Sequence, residues 1–250
     1  MQYKRIIPCL DVKCGQVVKG KSFRRLAYAG DALSLAKKYC EQGADELVFL
    51  DIAASAQGRS TYSRLTRKVA QEIFIPFTVG GGIRTLEDAA QILQNGADKI
   101  SINTAAVENP LLIPQIAEKF GSQAVVVAID AKRNAKGWSV FTYGGRKDTG
   151  IDAVKWAKKA ASLGAGEILL TSMDQDGTNS GYDIALSSAV CAAANIPLIA
   201  SGGAGSAKDI CSVFKAGADA ALLAGILHRN ETTIPRLKKQ VASAGIPMRT

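Results

Sequence analysis

Two aspartates close apolar runs at related places in the chain, Leu10-Asp11-Val12 and Ile129-Asp130-Ala131, 119 positions apart. A carboxylate at the open end of a buried strand can take and return a proton, so this pair is the best candidate for a general acid and base. Two glycine-rich turns keep a similar rhythm: Val79-Gly80-Gly81-Gly82-Ile83 and Ala200-Ser201-Gly202-Gly203-Ala204 lie 121 positions apart. Turns without side chains let backbone N–H groups close around an anion, with the N-termini of the following helices aimed at it. Neighbouring runs end in Ser101-Ile102-Asn103-Thr104 and Leu223-Ala224-Gly225, so each glycine turn has a partner to complete a pocket. Thr171, Asp174, Asp176 and Gly177 extend a further run, where Asp176 either positions a substrate or shapes the turn.

The elements that must hold these residues are eight apolar runs: Ile6 to Val12, Glu46 to Asp51, Ile75 to Val79, Asp98 to Ile102, Ala124 to Asp130, Glu167 to Thr171, Pro197 to Ser201 and Ala218 to Ala224. They read as strands buried on both faces. Helical patterns such as Asp31 to Gln42, Leu86 to Asn95, Pro110 to Lys119, Asp152 to Leu163 and Ala207 to Lys215 supply the crossovers of a parallel sheet. Eight strands in 250 residues, without a Ser/Gly/Pro linker, predict an α/β fold: one (β/α)₈ barrel over 1–250 rather than an open Rossmann sheet. The phrase Gly-Ala-Asp recurs at Gly43-Ala44-Asp45, Gly96-Ala97-Asp98 and Gly217-Ala218-Asp219, with Gly164-Ala165-Gly166 as a variant, each where a helix stops. The 121-residue spacing of several such features marks a duplicated half-barrel.

Barrel enzymes work at the C-terminal ends of their strands, which places both aspartates and both glycine turns at one mouth. Residues Lys13 to Gly30 form a long basic segment with Lys13, Lys19, Lys21, Arg24 and Arg25, either a flap over a phosphorylated substrate or a solvated loop. Within Lys132 to Gly150, the alternation Trp138-Ser139-Val140-Phe141-Thr142-Tyr143 predicts a small extra hairpin. At the opposite end gather Arg5, Glu46, Lys99 and Glu167, two bases and two acids from alternate strands; on their own they read as a stabilising ring of salt bridges.

The formal charge of +9 calls for an anionic partner. Nucleic acid is disfavoured because the basic residues are dispersed and only 6% of residues are aromatic. The apolar start meets Asp11 too early for a signal peptide, and no run approaches the roughly 18 apolar residues of a membrane span, so a soluble cytoplasmic protein is expected. Five cysteines without C-x-x-C spacing read as reduced thiols, and a single histidine, His228, argues against a metal site or a histidine base.

Along nearly its whole length the chain resembles the cyclase subunit of imidazole glycerol phosphate synthase, an enzyme of histidine biosynthesis. The carrying motifs are Lys4-Arg5-Ile6-Ile7-Pro8-Cys9-Leu10-Asp11-Val12, Asp45-Glu46-Leu47-Val48-Phe49-Leu50-Asp51-Ile52, Val79-Gly80-Gly81-Gly82-Ile83, Lys99-Ile100-Ser101-Ile102-Asn103, Val127-Ala128-Ile129-Asp130-Ala131 and Gly166-Glu167-Ile168-Leu169-Leu170-Thr171-Ser172. Asp176-Gly177-Thr178, Gly181-Tyr182-Asp183 and Ile199-Ala200-Ser201-Gly202-Gly203-Ala204-Gly205 complete the pattern.

The resemblance implies ammonia addition to a bisphosphate, phosphoribulosyl-formimino-aminoimidazole carboxamide ribonucleotide, and its cleavage to imidazole glycerol phosphate and aminoimidazole carboxamide ribotide, without a cofactor or metal. It implies Asp11 and Asp130 as acid and base, and Lys19 reaching in from the first loop. One phosphate falls to Gly82, Asn103 and Thr104, the other to Asp176, Gly177, Gly203, Ala224 and Gly225, with Thr171 and Ser201 lining the substrate. It also implies a glutaminase partner docked on the N-terminal face, with Arg5, Glu46, Lys99 and Glu167 as the ammonia-channel entrance. Two positions depart from the family pattern: Cys14 where Asp is usual, and Gly225 where Ser is common. The nearest alternative is the sister isomerase of the pathway, which shares the half-barrel repeat and the aspartate pair but uses no ammonia. A non-catalytic barrel that activates a glutaminase is the other, and it would have no use for Asp11, Asp130 and both glycine turns.

Overall fold

Runs of Val, Ile, Leu and Ala with no polar face bury themselves on both sides, and in the computed structural model they do so as an inner ring of strands. Described are residues 3–13, 16–21, 24–51 and 63–249, without the side chains of 13, 18–21, 24–29, 63 and 64. The first half runs β1 (Arg5–Lys13), β2 (Gln16–Lys21), β3 (Arg24–Asp31), α1 (Ala32–Glu41), β4 (Leu47–Asp51), α2 (Ser63–Glu72), β5 (Phe77–Gly80), α3 (Leu86–Gln94), β6 (Lys99–Ile102), α4 (Thr104–Glu108) and α5 (Leu112–Phe120). The second runs β7 (Val125–Asn134), β8 (Gly137–Thr142), β9 (Lys147–Asp152), α6 (Ala153–Ser162), β10 (Glu167–Ser172), α7 (Ile184–Ala194), β11 (Leu198–Ser201), α8 (Ala207–Lys215), β12 (Ala220–Leu223), α9 (Gly225–His228) and α10 (Ile234–Ser243).

Parallel pairing runs in the order β10, β11, β12, β1, β4, β5, β6, β7, and β7 pairs back to β10, which closes an eight-stranded barrel. All eight runs expected as strands are its staves. The 121-residue repeat reappears in the helix caps. Asp31 and Asp152 accept from the backbone N–H of Ser34 and Lys155, and Thr85 and Ser206 accept from the N–H of Asp88 and Asp209. The Gly-Ala-Asp phrases also tie the barrel floor: Asp45, Asp98 and Asp219 each accept the N–H of a neighbouring strand, at Ile6, Phe77 and Leu198. In the fourth phrase Gly166 replaces Asp because a Cβ there would sit 2.1 Å from the Ser122 carbonyl oxygen.

The core has two layers. One cluster, with Ile6, Leu10, Phe49, Ile100 and Ile129 among its members, packs strands against helices, and the other, with Ile7, Cys9, Val48, Val126, Leu169, Ile199, Ala220 and Leu222, shares the opposite face and fills the barrel. Side chains alternate across a strand, so the inward set continues both ways along each stave. It reaches Arg5 below and Asp11 above in β1, Asp130 above Val126 and Ala128 in β7, and Glu167 below and Thr171 above Leu169 in β10.

The expected hairpin is present: β7 overshoots the barrel and pairs antiparallel with β8, which pairs with β9. The basic segment after Lys13 differs from the expected loop. Its described backbone forms β2 and β3, antiparallel to each other, with β2 paired to the end of β1. Its charged, glycine-containing sequence lacks a clean two-residue alternation, and its pairing comes from the overshoot of β1. Cys14 lies outside the described residues, as does the side chain of Lys19, whose backbone pairs with Ala27.

Candidate active site

Strand periodicity carries Asp11 and Asp130 to one mouth from staves that are not neighbours, with Thr171 in register with Asp130 on one side and Ser201 on the other. Asp130 is half-buried, and its Oδ2 accepts a 3.0 Å hydrogen bond from Asn103 Nδ2. Burial raises its proton affinity most, the charge of Asp176 adds to this, the Asn103 hydrogen bond opposes it, and Asp11 contributes least; together they push the carboxyl from 3.8 up to about 7. A carboxyl in that range exchanges protons near neutrality, as general acid–base work requires. Cys9 Sγ lies 3.6 Å from Asp11 Oδ1.

The glycine turns form as a matched pair. Gly81 (φ 92°) and Gly202 (φ 91°) sit in a conformation that side chains resist, and a Cβ would fall 2.2 Å from the Asp51 carbonyl oxygen and 2.6 Å from that of Ser172. Asp51 and Ser172 are themselves 121 positions apart. Gly82 follows in the first turn. In the second, Gly203 O accepts from Gly181 N at 2.8 Å, and next to Gly181, Tyr182 donates its hydroxyl to Leu222 O at 3.1 Å, which ties the loop around Asp176 and Gly177 to β12.

One expectation is corrected. The helices after the glycine turns, α3 and α8, do not offer open N-termini, because Thr85 with Asp88 and Ser206 with Asp209 close them; Asp88 accepts from Arg84 and Thr85 N–H, and Asp209 from Gly205 N–H and the Ser206 hydroxyl. An anion there would meet a carboxylate. Two short helices at the mouth, α4 and α9, have no side-chain cap at their N-termini, and their cap residues Asn103 (φ −119°, ψ −82°) and Ala224 (φ −135°, ψ −76°) stand 121 apart in matching backbone conformations. Gly225 opens α9 as Thr104 opens α4.

Asn103 has a different employment from the one its position suggests. Both amide protons are engaged, by Asp130 Oδ2 and by Phe141 O at 3.2 Å, so its side chain has no donor left for a phosphate; Oδ1 is buried without a partner among the described residues. Thr104 Oγ1 accepts from Tyr143 N–H at 3.0 Å and keeps its own proton to donate. Two contributors escaped the sequence reading. Asp51 ends β4 as Asp11 and Asp130 end their runs, a signal that was available; the bracing by Phe141 and Tyr143 is backbone chemistry and left no signal.

At the opposite end, Arg5 pairs with Glu46 (2.6 Å) and with Glu167, and Lys99 pairs with both glutamates at 3.0 Å. Burial works against the Arg5 charge, but Glu167 and Glu46 outweigh it and hold the guanidinium protonated. Two cations and two carboxylates thus close a ring of zero net charge, as the residue types implied. Among the described residues no cluster of His, Cys, Asp and Glu could hold a metal, and no helix is long and apolar enough to cross a membrane.

Residues 5–233 match the model of a family described as histidine biosynthesis protein. Over 249 residues the chain is 57% identical to imidazole glycerol phosphate synthase subunit HisF of Pyrococcus furiosus, covering 100% of this chain and 99% of that one. The HisF proteins of Alkaliphilus metalliredigens (56%, 98% of each chain) and Methanococcus vannielii (54%, 100% of each chain) are similar over the same extent. Their names describe one subunit of a synthase. With the closed barrel and the paired mouth residues, these likenesses show that the chain belongs to the histidine-biosynthesis family, among the HisF cyclase subunits of imidazole glycerol phosphate synthase.

Proposed function

We propose that the mouth of this barrel takes phosphoribulosyl-formimino-aminoimidazole carboxamide ribonucleotide and ammonia to imidazole glycerol phosphate, aminoimidazole carboxamide ribotide and water, the ribulosyl carbonyl oxygen leaving as that water, with Asp11 and Asp130 exchanging the protons. Ammonia adding to the ribulosyl carbonyl needs a proton delivered to oxygen and one taken from nitrogen, and scission of the substrate needs the same exchange at a departing nitrogen. The observation that carries the reading is Asp130 itself: it is held by the Asn103 amide, and burial with the charge of Asp176 pushes its carboxyl up to about 7.

One phosphate sits between the Gly82 turn and the start of α4, taking the Thr104 hydroxyl proton. The other sits between Gly203 and the start of α9, with Gly177 and the Ala224–Gly225 backbone around it. Gly225 brings no hydroxyl, so the second site depends more on backbone N–H groups. Asp176, whose charge is felt at Asp130, acts on proton affinity as well as on substrate position. Thr171 and Ser201 line the space between the sites, and Lys19 belongs to the strand pair beside Asp11.

A glutaminase partner docks on the N-terminal face and releases ammonia at the ring of Arg5, Glu46, Lys99 and Glu167. Tyr3 (59% exposed) and Phe74 (92% exposed), in the segments leading into β1 and β5, give that face apolar contact points. The ring is neutral and every member is paired, so passage through it requires an ion pair to part. Above it the apolar barrel interior leads to the mouth.

The test is turnover of the bisphosphate by the isolated chain. Ammonium salts should support it, and glutamine should support it only after a glutaminase subunit is added. Isomerisation of the sugar, or no turnover with ammonium, sinks the proposal.

A further inference from the structure

The only histidine of the chain takes no part in the chemistry above, yet it stands where the second phosphate helix meets the strand of Asp11. The ladder between β1 and β12 ends at Pro8 and Leu223. One residue further on, the Cys9 carbonyl lies 3.1 Å from His228 Nε2. A carbonyl only accepts, so Nε2 carries the proton and Nδ1 is the acceptor. Facing Nδ1 at 2.7 Å is the hydroxyl of Tyr39, a fully buried residue of α1 that burial pushes up to about 12, keeping it a donor. Cys9 is two residues from Asp11, and His228 closes the short helix that Ala224 and Gly225 open.

The other half of the barrel has nothing equivalent at these positions. Val107 stands 121 residues before His228, and Ala160 stands 121 after Tyr39. There the helix α4 is braced from outside, by Tyr143 N–H on Thr104 and by Phe141 O on Asn103. The two matched phosphate helices are therefore held to the strands of the two candidate aspartates by different side chains, α4 through Asn103 to Asp130 on β7 and α9 through His228 to the Cys9 carbonyl on β1.

We infer that His228 is a positioning residue: locked in its Nε2–H tautomer by Tyr39, it joins α9 to β1 so that the second phosphate and Asp11 keep a fixed distance. This rests on the cyclase reading. In ammonium-driven turnover, His228→Leu should lower kcat/KM about tenfold to a hundredfold, with KM for the bisphosphate rising and kcat falling, because small misplacements of a reacting group are costly. His228→Gln, whose amide can donate to Cys9 O, should recover to within about threefold of the parent, and Tyr39→Phe should lose about threefold to tenfold. Kinetic constants of His228→Leu equal to the parent's, or His228→Gln no better than His228→Leu, overturn the inference by reducing the residue to packing. If His228→Leu does not fold, Tyr39→Phe decides: unchanged kinetics overturn the inference.

With one histidine in the chain, ¹⁵N-imidazole labelling reads its tautomer without assignment, and a proton on Nδ1 instead of Nε2 also overturns it. A parent chain inactive with ammonium sinks the cyclase reading instead. Calorimetric affinity of the same variants for the bisphosphate then makes the comparison, with weaker binding by His228→Leu supporting the tie and equal binding refuting it.

Discussion

Three acidic side chains on the inward face of one barrel, Glu46 and Glu167 at one end and Asp130 at the other, sit in opposite surroundings. Glu46 and Glu167, at the N-terminal end, each lie between Arg5 and Lys99, so their charge is matched on both sides. At the mouth, Asp130 has an amide for a neighbour and two further carboxylates within electrostatic reach, so its charge is disfavoured and its proton is labile near pH 7. Burial penalises charge at both ends; what differs is the described neighbour, Arg5 and Lys99 for the two glutamates and the Asn103 amide for Asp130. The ring of ion pairs is suited to rigidity, and the carboxyl that the Asn103 amide holds at the mouth is suited to proton transfer.

The largest test of this contrast is at the mouth. Asp11→Asn and Asp130→Asn should each lower ammonium-driven turnover by about two to four orders of magnitude with bisphosphate binding largely retained, measured by steady-state kinetics beside calorimetry. Loss of binding with turnover per bound substrate intact would make both carboxylates structural.

At the ring the expected effect is on stability. Glu167→Gln leaves Arg5 and Lys99 to share Glu46 and should cost about 3–5 kcal/mol, a fall in Tm of about 10 °C by calorimetry. With a glutaminase bound, glutamine-driven turnover should fall further than ammonium-driven turnover. An unchanged melting point would show that the ring carries no weight in the fold.

Asp130→Asn should have the opposite sign. The folded protein holds the Asp130 proton more tightly than the unfolded chain, so ionising it costs stability as pH rises from about 4 to about 7, and the penalty persists above that. The variant should melt about 5–10 °C above the parent at pH 8, with the gap closing toward pH 4. A constant gap across that range contradicts the assignment.

The smallest effect is expected from Asn103→Ala. It removes the hydrogen bond that favours the ionised form, so the limb of the pH–rate profile due to Asp130, expressed per free ammonia, should move up by about 0.5–1 unit. A limb that stays in place means that Asn103 does not govern the proton.

The eight staves, the Asp11 and Asp130 pair and the glycine turns were legible in the sequence because each rests on local rules: a buried strand must be apolar, a barrel works at its strand ends, and a turn against a carbonyl must lack a Cβ. The repeat made them more legible still, since Gly81 and Gly202 or Thr85 and Ser206 announce each other at 121 residues. The closure of α3 and α8 by Asp88 and Asp209 was local too and was open to the same reading.

What tertiary structure alone decided were partners remote in the chain. Asn103 spends its protons on Asp130 and Phe141, the basic segment after Lys13 pairs as strands beside β1, and Arg5 meets Glu167 from 162 residues away. Residue type sets what a group can donate, accept or ionise. Which neighbour it meets, and therefore whether Asp130 titrates near 7 while Glu167 stays paired with its cations, depends on the closure of the barrel.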